Sequence, residues 1–96
     1  MTSKQRAYLK SLANNIDPIL HVGKGGIGDA LIKQADDALE ARELIKLKCL
    51  ENSEYTPREA AEEIASRIGA EVVFSIGSKA VIYRRAHKNP KIELPK

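Results

Sequence analysis

Apolar side chains near the start of the chain fall at helical intervals, with Leu9, Leu12, Ala13 and Ile16 three and four residues apart. This spacing predicts a helix opening after the cap-type residues Thr2 and Ser3. Lys4, Arg6 and Lys10 lie off its apolar stripe. Asn14-Asn15 and Asp17-Pro18 then stop the helix and turn the chain. Ile19-Leu20-His21-Val22 has the length and residue types of a short strand. Beyond Gly23-Lys24-Gly25-Gly26 the helical spacing returns, from about Asp29 to Arg42. Leu31, Ala35, Ala38, Leu39 and Arg42 repeat on one side of it, and Asp36, Asp37 and Glu40 fall on the other. Glu43 to Leu50 alternates instead, with Ile45, Leu47 and Cys49 facing one way and Lys46 and Lys48 the other. That pattern predicts a strand with one wet, basic face.

Thr56-Pro57-Arg58-Glu59 carries three helix-start signals at once: a capping threonine, a proline suited to the first helical position and a capping-box glutamate. Ala60, Ala61, Ile64, Ala65 and Ile68 give that helix its buried stripe, and Gly69 its stop. Two runs rich in β-branched residues follow, Glu71 to Ile76 and Lys79 to Arg85, joined at Gly77-Ser78 as a hairpin. Residues 87–96 are basic and contain two prolines, which predicts a partly irregular tail. The order is therefore α-β-α-β-α-β-β. It gives the α/β class: one domain over residues 1–96, with a mixed four-stranded sheet packed with helices.

Composition narrows the function. At 96 residues there is room for a modest core but not for a deep cleft between subdomains. Only 4% of residues are aromatic, Phe74 and three tyrosines, so a base-stacking platform would have little to work with. Net charge is +3, but unevenly spread: residues 79–96 carry six basic side chains against the single Glu93. A basic end on a nearly neutral body points to an anionic partner. Cys49 is the only cysteine, which excludes an intrachain disulfide or a cysteine zinc cluster. With no apolar run long enough to span a membrane and no signal-peptide core, a cytoplasmic protein is expected.

The glycine-rich junction carries the chemistry. A strand turning through glycines into a helix brings bare backbone N–H groups to the positive end of that helix, where a phosphate can be held. Lys24 adds a mobile cation. Gly23-Lys24-Gly25-Gly26-Ile27-Gly28 also satisfies G-x-G-x-x-G, with Glu51 near the acidic position of a dinucleotide fingerprint. This makes a small nucleotide-binding protein the alternative. Three features oppose it: only one β-α-β-α-β half fits, Lys46 and Lys48 interrupt what should be an apolar strand, and a basic helix precedes the first strand. The same residues satisfy the simpler G-x-x-G, Gly23 to Gly26. In KH domains such a loop clamps about four nucleotides by their backbone, though between two helices rather than between a strand and a helix.

The order of elements, the strand–Gly-Lys-Gly-Gly–helix junction, the segment Arg42-Glu43-Leu44-Ile45-Lys46-Leu47-Lys48 and the ending Ile76 to Arg85 together resemble the YhbY/CRM family (chloroplast RNA splicing and ribosome maturation) over roughly residues 3–95. The resemblance implies a stand-alone prokaryotic RNA-binding domain that associates with ribosomal RNA in precursors of the large subunit and assists assembly. It also implies a fold similar to the C-terminal domain of translation initiation factor three. Gly23 and Gly26 match the family's G-x-x-G, whose middle positions vary. The expected RNA contacts are Gly23, Lys24, Gly25 and Gly26, extended by Lys4, Arg6 and Lys10 of the first helix and by Lys46, Lys48 and Arg85. Arg84 points away from Arg85 in a regular strand, so the two cannot serve one surface. No cofactor is implied, and a monomer is expected. No catalytic constellation or metal-ligand spacing stands out. His21 is expected to be packed or hydrogen-bonded within its strand, and Cys49 to act as a small core residue.

Overall fold

A computed structural model describes all 96 residues as seven elements: α1 (Ser3–Ala13), β1 (Pro18–Val22), α2 (Asp29–Arg42), β2 (Leu44–Cys49), α3 (Pro57–Ile68), β3 (Glu71–Ile76) and β4 (Lys79–Tyr83). Two helices start as their sequences ask. Thr2 and Gln5 form a reciprocal capping box on α1, and Thr56 and Glu59 form another on α3. Each satisfies two orphan donors, and losing the cap would cost about 1 kcal/mol. Gly69 ends α3 at φ 68°, in the left-handed region that a side chain disfavours. Gly77 has φ 59° at the first position of the two-residue β3–β4 turn, as a tight hairpin requires.

The sheet runs β1-β2-β4-β3. β1 and β2 are parallel, whereas β4 is antiparallel to both of its neighbours. The hairpin thus inserts β4 between β2 and β3, and a single pair of adjacent strands runs parallel. The doubly wound frame that a dinucleotide fingerprint needs does not form. Side chains alternate across the sheet. Leu20, Val22, Ile45, Leu47, Cys49, Ala80 and Ile82 pack with Ala35 and Leu39 of α2 and Ala60, Ala61 and Ile64 of α3. On the opposite face α1 lays Leu9 and Ala13 over Leu44, Val73, Val81 and Tyr83, with Ile92 and Leu94 of the tail beside them.

Several expectations change here. β4 ends at Tyr83, so Arg84 and Arg85 lie outside the strand. Arg42 belongs to the helical stripe in sequence but is exposed, because it sits in the last turn of α2, beyond the packed residues. His21 is neither packed nor hydrogen-bonded. It is exposed, since α1 covers only the other end of that face.

The tail is irregular but anchored. Glu43 is fully buried at φ 67°, and its carboxylate accepts from the amides of Ala86 (2.8 Å), Lys91 and Ile92. Glu40 accepts from the amides of His87 (3.0 Å) and Lys88 (3.1 Å) and contacts the His87 ring. Both outer strands are covered in part. The Arg6 guanidinium donates to the carbonyls of Val72 and Val73 on β3, and the Gln34 amide donates to the carbonyl of Ile19 on β1.

Candidate nucleic-acid interface

Gly23 to Gly26 make a four-residue turn closed by the Gly26 amide donating to the Gly23 carbonyl at 3.0 Å. Gly26 sits at φ 73°, which favours glycine, with the Tyr55 ring beside it. A side chain at Gly23 would touch Leu50 and Asn52. Around Gly25 and Gly28 the space is open: nothing lies within 4 Å of where a Cβ would stand. The turn does not run straight into the helix. Ile27 and Gly28 intervene, and Gly28 takes the N-cap position of α2 without a side chain to cap it.

The consequence is a group of unused donors. The first helical bond runs from the Ile32 amide to the Gly28 carbonyl at 3.1 Å. The amides of Lys24 and Gly25 in the turn, and of Asp29, Ala30 and Leu31 in the first turn of α2, have no protein acceptor. Lys24 is exposed and makes no ion pair. One carboxylate, Asp29, stands in that first helical turn and partly offsets its positive end. The corner can hold an anion through main-chain donors, with no side chain in the way.

The other expected contacts do not all gather there. Lys46 and Lys48 are half-buried along their stems and lie on the sheet face away from α2 and α3. Lys48 stands at the glycine-turn end of β2, where the Leu50 amide donates to the Val22 carbonyl. α1 crosses the far end of the same face. Lys10 rests over the Phe74 ring, 5.3 Å from its centre, a cation–π contact on the way toward Lys46. Arg6 is tied to the β3 carbonyls. Lys4 is exposed in the first turn of α1 and makes no ion pair, while the N-terminal ammonium three residues before it meets Glu71 of β3 at 3.8 Å. Arg85 is exposed just beyond the C-terminal end of β4, the end of that strand opposite Lys79 and the glycine turn. Arg84 is occupied otherwise: only 10% of its side chain is exposed, and it bonds to Asp36 and to the Ile68 carbonyl at 3.0 Å.

Sequence reasoning passed over Lys79 as a site residue. It is the cross-strand partner of Lys48. No sequence signal marks that pairing, because β2 and β4 are not consecutive strands.

Chemistry elsewhere is sparse. No group of three or more His, Cys, Asp or Glu is placed to hold a metal ion. Burial pushes the Cys49 thiol above its usual range, as suits a core residue, although a Ser53 hydrogen bond opposes the shift. Two backbone amides, of His87 and Lys88, hold the Glu40 carboxyl down at about 2. Burial alone would raise Glu43, but the amides of Ala86, Ile92 and Lys91 outweigh it and keep its carboxyl below the ordinary value. These groups hold the tail rather than a substrate. No helix is long and apolar enough to cross a membrane.

The family model of the CRS1/YhbY (CRM) domain matches residues 1–84. The chain belongs to the CRM family. Among its CRM relatives, YqeI of Bacillus subtilis, described as a probable RNA-binding protein, is 43% identical over 95 residues, covering 99% of each chain. A protein of Haemophilus influenzae described as an RNA-binding protein is 30% identical over 96 residues, covering all of this chain and 96% of its own. The solution structure of the protein SAV1595 from Staphylococcus aureus is 52% identical and superposes with a TM-score of 0.80, covering 99% of both chains. A three-helix CRM domain on a mixed four-stranded sheet is thus the common frame.

Proposed function

We propose that this protein binds RNA through its sugar–phosphate backbone, gripping it at the glycine turn, and that its target is ribosomal RNA in precursors of the large subunit. The observation that carries the reading is the corner where Gly25 and Gly28 leave open space beside five amides without acceptors, with Lys24 above them. An RNA strand offers phosphates to such donors at no steric cost, and contacts of this kind position a strand without reading its sequence. The relatives' description as RNA-binding proteins supports the class of partner. The ribosomal target rests on what the family resemblance implies.

Gly25 is the position at which to test the corner. Its surroundings are open and its φ is not positive, so a side chain there leaves the fold intact, whereas Gly26 would add backbone strain. The double variant Lys24→Glu, Gly25→Glu is expected to keep the wild-type circular dichroism spectrum and to lose about tenfold or more in affinity for RNA at low salt. Unchanged affinity would discard the turn as the contact. RNA recovered with the protein from cells and sequenced should be enriched in large-subunit precursor. Enrichment of unrelated RNA would end the ribosomal part of the reading.

A further inference from the structure

Lys48 on β2 and Lys79 on β4 are direct cross-strand partners, and His21 on β1 is the partner of Lys48 on its other side. Alternation places all three on the face away from α2 and α3, because their neighbours Leu20, Val22, Leu47, Cys49 and Ala80 enter the core on the other side. The row crosses three strands, about 10 Å. It lies at the glycine-turn end of the sheet, where the Cys49 amide donates to the Ser78 carbonyl and the Leu50 amide to the Val22 carbonyl, each at 2.8 Å.

Like charges held directly opposite each other on a sheet are destabilising. Four of the 16 lysines and arginines, Lys33, Arg58, Arg67 and Arg84, pair with carboxylates. Lys48, Lys79 and Lys46 pair with none, although the chain carries 13 acidic residues. α1 and the tail stop short of this end of the face, and His21 and Lys79 are exposed. Two unneutralised ammonium groups with an imidazole in line fit a polyanion that supplies the missing charge.

We propose that Lys48 and Lys79, with His21 beside them, form a second phosphate-binding row, over which an RNA strand held at the glycine turn continues across the open sheet face. This rests on the RNA-binding reading and adds to it a path and a residue, Lys79. The glycine turn supplies main-chain donors and the row supplies mobile charge, so the two contribute differently to salt dependence.

The test measures binding of a fluorescently labelled single-stranded RNA oligonucleotide across a salt titration, alongside thermal melting of the free protein. Replacing Lys48 and Lys79 together by Gln should lower the slope of log K against log salt by about 1 to 2, while melting moves upward or stays in place as the repulsion goes. Lys79→Arg, which keeps the charge, should retain the wild-type slope. Lys88→Gln removes the same charge from the tail, at the other end of α2, and should leave the slope unaltered. A wild-type slope in the Lys48/Lys79 double variant overturns the row while leaving RNA binding at the turn intact. Equal loss in Lys79→Arg and Lys79→Gln also overturns it, since charge would then not be what matters. If the wild-type protein binds no RNA, the function reading itself falls.

Discussion

At position 43 the chain does two things a glutamate ordinarily avoids: it takes a positive φ and it buries its carboxylate completely. Each is unfavourable alone, the backbone conformation by about 1–3 kcal/mol. They are held by one set of bonds. The Glu43 amide donates to the Leu39 carbonyl and its own carbonyl accepts from Arg84, while three tail amides converge on the carboxylate. Hydrogen bonds to a charged acceptor are the strong kind. Glu43→Gln should therefore lose about 2 kcal/mol in urea unfolding. Glu43→Gly should also be less stable than wild type, because relief at φ does not replace the acceptor. Both variants should bind RNA as before at temperatures where they are folded, since the tail lies away from the glycine turn.

At the scale of elements, the tail behaves as a strap held by two carboxylates at the end of α2. Its acid response follows from the signs. Both carboxyls are depressed in the folded protein, so the stability they contribute is present above the ordinary value of 4.5 and is lost as pH falls from there toward the folded value of Glu40, about 2. In calorimetry the melting temperature should drop through that window, and Glu40→Gln should differ from wild type at neutral pH but converge with it near pH 2. The strap was not legible in the sequence. Glu40 and Glu43 are more than 40 residues from the amides they bind, and a basic, proline-containing tail looks the same whether anchored or free. Helix starts and strand alternation could be read because their causes are local: the capping residue Thr2, Thr56 with Glu59, Ile45 against Lys46. The Gly23–Gly26 turn was visible for the same reason. The place of Lys79 was not, since it depends on β4 entering between β2 and β3.

Across the whole molecule the charges separate by side. Three of the seven acidic residues of α2 and α3 are matched within their own helices, Asp37 with Lys33, Glu62 with Arg58 and Glu63 with Arg67, and Asp36 and Glu40 meet Arg84. Exposed pairs of this kind add little stability, but they neutralise that side. The unpaired cations Lys24, Lys46, Lys48 and Lys79 remain around the glycine turn and the open sheet face. Binding should accordingly weaken with added salt, with a slope near −3 if about four phosphates of a single strand are engaged, and should vary little among unrelated RNA sequences. Titrations against several oligonucleotides would check both. The Arg6 guanidinium on β3 and the Gln34 amide on β1 bear on a different hazard. A four-stranded sheet with two outer strands is a template on which further copies could stack, yet each border has carbonyls already claimed by a side chain of its own chain. Should RNA draw many copies together, these two tethers leave fewer free edge acceptors for a neighbouring copy to add its strand to.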